Sequence, residues 1–154
     1  MYYNILVIHS ILRWLVLISL LYAIIRAFRG YSFHRPFSKL DNSIRHWTAT
    51  IAHFQLVIGI TIYMKSPLVK FFWGSLKESK SQLEPAFFGW IHGSIMISAI
   101  LVITIGSAVA KRNELDREKF KAMLLWYSVA LILMIITIPW PFSPLANRPF
   151  FRVF

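Results

Sequence analysis

No cysteine occurs among the 154 residues. That excludes disulfides, thiolate-bound iron–sulfur clusters and the C-x-x-C-H attachment of a c-type haem. Any cofactor must be held by histidine, methionine, arginine or backbone groups. Acidic residues are scarce, with six Asp and Glu against 17 Lys and Arg, for a formal charge of +11. None of the six lies within the long apolar runs, which also hold no nucleophile–base pair, carboxylate dyad or phosphate loop, so hydrolysis and group transfer are not indicated. Met1-Tyr-Tyr-Asn4 lacks a basic n-region and no small-residue cleavage site follows, so the first apolar run reads as a retained helix rather than a cleaved signal peptide. There is no internal repeat, no low-complexity tract and no room for a second domain; residues 1–154 read as one transmembrane domain.

Hydrocarbon, by contrast, is abundant. Hydrophobic residues make up 57% of the chain and the mean hydropathy is +0.59, too apolar for a soluble domain. Four runs, Ile5 to Ile25, Trp47 to Met64, Ala86 to Ala110 and Ala122 to Trp140, are each long enough to cross a hydrocarbon core of roughly 30 Å. The reading is therefore all-α: an integral membrane four-helix bundle, up-down-up-down, with helices over about 4–27, 44–64, 86–110 and 121–139.

The basic residues collect in Arg26–His46 and Lys111–Lys121, and the preference of Lys and Arg for the cytoplasmic side places both segments inside and both termini on the outer, periplasmic side. Four lysines in Lys65–Pro85 weaken that contrast without reversing it. In a soluble protein the charge would suggest nucleic acid; here it sets topology and meets anionic membrane lipid, and no nucleic-acid partner is expected. Leu68–Trp73 and the aromatic tail Phe150–Phe154 read as interfacial segments.

Arg13 is the one charged residue inside the four runs, four residues after His9 and on the same helical face. A guanidinium in hydrocarbon costs roughly 2.5–3.5 kcal/mol by insertion scales, so an anion is expected to meet it. Counting from the cytoplasmic ends puts His9 about 25 Å and His92 about 28 Å away, nearly level near the outer surface. In an up-down bundle their helices are diagonal partners. Two imidazoles at matched depth on diagonal helices suit the two axial positions of a haem b iron, with Arg13 on a propionate. Gly89 and Gly93, flanking His92, would let a flat ring or a neighbouring backbone come close.

His53 lies only about 12 Å from the inner edge, too deep to share that haem, at the level of Ser19, Thr104 and Ser128. It suits internal hydrogen bonding, a proton route or, with Gln55, a quinone headgroup. His46 and His34 read as interfacial and solvated, Met96 as bundle packing, and Gly59 and Gly106 as close helix contacts.

The pattern His9-Ser-x-x-Arg13-Trp14, His53-x-Gln55 with Gly59, Tyr63 and Ser66-Pro67, then His92, Ile105-Gly106, Ile138-Pro-Trp-Pro-Phe142 and Arg148-Pro149 resembles small four-span bacterial membrane proteins labelled cytochrome b. The resemblance covers nearly the whole chain. It implies membrane histidines as haem ligands, at the matching positions His9, His53 and His92, and a bacterial inner (cytoplasmic) membrane. The expectation is one haem b per chain, with His9 and His92 as axial ligands and Arg13 on a propionate, while His53 is a further cofactor-binding candidate, for a quinone rather than that haem. The chain would then carry electrons between the quinone pool and a partner, as an electron-transfer protein or oxidoreductase subunit rather than a stand-alone enzyme. Two other readings stay open: a haem-free accessory or assembly subunit of a larger membrane complex, and a copper or zinc site built on His9, His92 and a third ligand. A quinone, a larger complex and a second copy of the chain are the candidate partners besides lipid.

Overall fold

The computed structural model describes residues 2–146 and 148–150. Its helices are α1 (Tyr2–Ser32), α2 (Lys39–Lys65), α3 (Pro67–Gly74), α4 (Leu76–Ser79), α5 (Leu83–Ala86), α6 (His92–Arg112) and α7 (Asp116–Thr137), with a π-helical turn Phe87–Ile91 joining α5 to α6. Among the described residues, four helical stretches are long and apolar enough to span a membrane: α1, α2, the continuous stretch Leu83–Arg112, and α7. The chain is a multi-pass, all-helical protein of the membrane type. Large apolar side chains cover its outside, with Ile18 64%, Phe54 62% and Ile136 70% exposed, the distribution expected where hydrocarbon is the solvent.

Side-chain contacts fix the topology. Arg26 meets Asp41 while His9 meets Gln55; Arg45 meets Ser107 while Tyr63 meets Gly89; Gly106 abuts Trp126 while His92 meets Thr137. Each pair of contacts runs in opposite chain directions, so neighbouring spans are antiparallel. α7 closes the ring by packing on α1, where Phe120 covers Gly30 and Trp140 lies against Trp14. α1 and the third span are thus diagonal, as the up-down reading requires.

The basic segments expected as loops are mostly helix. The connection between α1 and α2 shrinks to residues 33–38, and that between α6 and α7 to residues 113–115. Arginine and lysine are good helix formers, so the helices run on past the apolar stretch instead of stopping at its edge. α2 starts on a capping box: Ser38 Oγ accepts from the Asp41 amide, and the Asp41 carboxylate accepts from the Ser38 amide. Ser66 ends α2, and its hydroxyl caps α3, whose first residue is Pro67. Residues 68–73, expected at the interface, form that short helix.

Packing differs between the two ends of the bundle. The basic end is filled by small residues that let backbones approach, with Ala23, Ala27, Ala52, Ala99, Ala110 and Ala130 fully buried around Leu20, Ile103 and Tyr127. Gly106 is part of this end. A Cβ there would stand 2.2 Å from the Trp126 Cβ, an atom that cannot swing aside. Gly106→Ala is therefore expected to destabilise the fold by about 1–3 kcal/mol, the usual range for overpacking, read by thermal unfolding in detergent. A destabilisation below about 0.5 kcal/mol would show that α6 and α7 are less tightly seated than this contact requires.

Candidate cofactor site

At the opposite end the bundle opens into a cavity of about 630 Å³, within the usual range for small-molecule and cofactor sites. Its walls are mainly apolar, supplied by residues such as Leu6, Val16, Leu56, Ile60, Met96 and Met134. Among the polar groups that line it are His9, Ser10 and Arg13 from α1, Gln55 and Tyr63 from α2, His92 and Ser94 from α6, and Arg148.

α1 presents these groups through its periodicity. Its buried positions are Val7, Ser10, Val16, Leu20, Ala23, Ala27 and Gly30, and Arg13 continues the same stripe between Ser10 and Val16. His9 lies beside it with its ring against Gly59, where a Cβ would touch Cε1 at 3.4 Å. Gln55 Nε2 donates to the His9 carbonyl at 3.0 Å and stands 3.4 Å from His9 Nε2, a long contact, while Gln55 Oε1 is buried without a hydrogen-bond partner among the described residues.

His92 is held differently. It follows the π-helical turn, and its own N–H reaches back to the Phe87 carbonyl. A π turn takes in one residue more than an α turn and so resets which face follows it. His92 Nδ1 lies 3.0 Å from the carbonyl oxygen of Thr137. A carbonyl only accepts, so Nδ1 carries the hydrogen and Nε2 of the neutral ring carries the lone pair. Nε2 makes no hydrogen bond among the described residues. A ring whose N–H is held by a carbonyl while the other nitrogen stands ready is the usual arrangement of a metal-binding histidine.

The glycines beside His92 line the cavity and also admit neighbouring side chains. Gly89 receives the Phe72 side chain, with ring and Cβ atoms within 2.4–2.8 Å of where a Cβ would stand, and Gly93 faces the Tyr63 ring at 3.8 Å. Tyr63 ties this corner together, donating to the Gly89 carbonyl at 2.7 Å and accepting from Trp73 Nε1 at 2.8 Å.

Arg13 meets an acceptor that the sequence did not suggest. Its Nη2 donates to the carbonyl of Phe150 at 2.6 Å, and Trp14 Nε1 donates to the same oxygen at 3.1 Å. Trp140 packs on Trp14, stacks on Phe142 and touches Phe150. Arg148 pairs with Glu84 at the start of the third span and lies over the Phe88 ring. The stretch after α7 therefore bridges from α1 to the third span across the end of the cavity. The expected interfacial course of Phe151–Phe154 lies outside the described residues. Arg148, Tyr63 and the Thr137 carbonyl are site groups that the sequence does not single out: the first two carry no signal apart from their place in a motif, and a main-chain acceptor has no sequence signature.

His53 does not line the cavity. It sits exposed on α2, with Nε2 3.0 Å from Thr104 Oγ1, one of the groups placed at its level by counting residues. The Thr104 hydroxyl donates to the Ile100 carbonyl, so Oγ1 accepts from His53. No group of three or more His, Asp and Glu side chains suited to a metal ion occurs among the described residues.

Protein-family models, curated proteins and solved structures yield no match to this chain. Two imidazoles from diagonal helices, a mainly apolar chamber and guanidinium groups at its wall fit a flat, largely apolar ligand that has an anionic edge and takes nitrogen ligands.

Proposed function

We propose that the protein is a membrane b-type cytochrome, holding one haem b between His9 and His92 and carrying electrons between the quinone pool and a partner. The observation that carries this reading is the His92 ring, fixed by the Thr137 carbonyl with Nε2 available in a cavity that His9 lines from the diagonal helix. Haem iron, when bound, supplies reversible one-electron transfer. His92 and His9 would each offer it a ring nitrogen. Arg13 would offer a guanidinium to a propionate, a stronger acceptor than the Phe150 carbonyl because both partners are then charged and the contact can be bidentate. The apolar wall keeps water from the ring, and Gln55 holds α1 and α2 together beside His9.

The placement goes with this reading. Arg26, Arg29, Lys111 and Arg112 close α1 and α6, and Lys39, Arg117 and Lys119 open α2 and α7, so the basic end faces the cytoplasm of a bacterial inner membrane and the cavity lies toward the periplasm. His53, at the other level and on the outer face, supports a hydrogen-bonding or proton-relay role rather than axial ligation.

The test is a reduced-minus-oxidised difference spectrum of the protein purified from cells grown with ample haem. A b-type signal is expected. Colourless protein that co-purifies with a large membrane complex would overturn the proposal in favour of an accessory subunit.

A further inference from the structure

The basic end carries a second concave feature, unrelated to the cavity. It is a depression of about 480 Å³ between the start of α2 and the turn joining α6 to α7, lined by Lys39, Asn42, Ser43, Lys111 and Lys119 with Phe37 and Ser38 at its edge. Its polar groups are nearly all donors. Lys39 and Lys111 are exposed and make no ion pair among the described residues. Lys119 reaches Asp116 at 3.4 Å and lies over the Phe37 ring.

Asn42 is oriented by what lies beneath it. Arg45, 5% exposed, donates through Nε and Nη2 to Asn42 Oδ1 at 3.2 and 3.0 Å and through Nη1 to Ser107. Two guanidinium donors can only meet the amide oxygen, so the Asn42 Nδ2 hydrogens are left over, and Nδ2 has no partner among the described residues. Arg45 itself has no carboxylate partner there, so its charge adds to the field of the depression. The nearest acid on α2, Asp41, spends both oxygens on Arg26 and Ser38.

Three ammonium groups, an outward amide and the Ser43 hydroxyl over an unneutralised guanidinium match a phosphate oxyanion. We propose that this depression is a specific site for the phosphate of an anionic phospholipid on the basic side of the membrane. A lipid is favoured over free phosphate because apolar surface lies at the same end: Leu40 is 54% and Leu115 70% exposed, available to the glycerol and upper acyl chain.

The experiment compares lipid retention by native mass spectrometry with binding measured in phosphatidylcholine nanodiscs, with and without phosphatidylglycerol. Wild type is expected to keep one phosphatidylglycerol and to bind it in preference to phosphatidylcholine. Near a membrane surface each lysine contributes about fivefold, so Lys39→Gln/Lys111→Gln/Lys119→Gln should lower the affinity on the order of a hundredfold. Lys70→Gln/Lys77→Gln/Lys80→Gln removes the same charge from the other end and should leave binding within about twofold. Equal losses in the two triple variants, or no loss in either, would overturn the site. Inorganic phosphate competing as well as the lipid headgroup would overturn the choice of a lipid. Thermal unfolding of both variants in phosphatidylcholine alone separates loss of binding from loss of fold.

Discussion

His92→Ala is expected to abolish the b-type difference spectrum that the proposed function calls for, and His53→Ala to leave it intact. His92 presents a prepared nitrogen: its Nδ1–H is taken by the Thr137 carbonyl, which fixes both the tautomer and the ring plane. Removing it takes away the ligand together with its orientation. His9→Ala should weaken the signal severely, by at least tenfold in haem retained per folded chain, because only one histidine of the cavity wall then remains. His53 donates to Thr104 away from the cavity, so its loss costs a hydrogen bond and nothing at the ring. The spectra are normalised to folded protein by gel filtration and circular dichroism. Loss of the signal in His53→Ala with retention in His92→Ala would refute the pairing.

The largest effect on stability is expected at Asp41. Its carboxylate, 3% exposed, accepts four hydrogen bonds, two from Arg26 at 3.0 and 2.6 Å and two from Ser38 at 3.0 and 2.6 Å. One residue thereby joins α1 to α2 and caps α2. Removing one member of a buried ion pair costs about 3–5 kcal/mol. Arg26 keeps partial access to water, which draws the cost of Asp41→Ala toward about 3 kcal/mol, the lost cap included. The measurement is unfolding in mixed detergent micelles, with Arg26→Ala added as a second step. The double variant should recover part of the loss, since the stranded guanidinium is gone. A cost below about 1 kcal/mol for Asp41→Ala would show that the pair contributes no more than a surface contact.

The four spans were legible in the sequence because each is a long run of apolar residues, and hydrocarbon admits little else than a helix. Their diagonal pairing followed from antiparallel neighbours, and the separation of His53 from His9 and His92 followed from the fixed rise of a helix. Helix ends were less legible. Composition marks where hydrocarbon stops, whereas α1 and α2 stop at a turn set by Ser38 and Asp41, whose S-x-x-D spacing is a cap signal that the surrounding basic residues concealed. The π-helical turn before His92 has no composition of its own. Least legible was the acceptor of Arg13, since a main-chain carbonyl 137 residues away leaves no trace in side-chain chemistry.

That separation also orders events in time. The carbonyl that Arg13 and Trp14 share belongs to Phe150, and Arg148, which reaches back to Glu84, lies two residues before it. The ribosome makes α1 and the third span well before either group exists, and membrane helices can associate as soon as they are inserted. The chamber is therefore built as an open cup and receives its cover last. A ligand of the kind proposed above would meet an open cup until that segment docks on Arg13, Trp14 and Glu84.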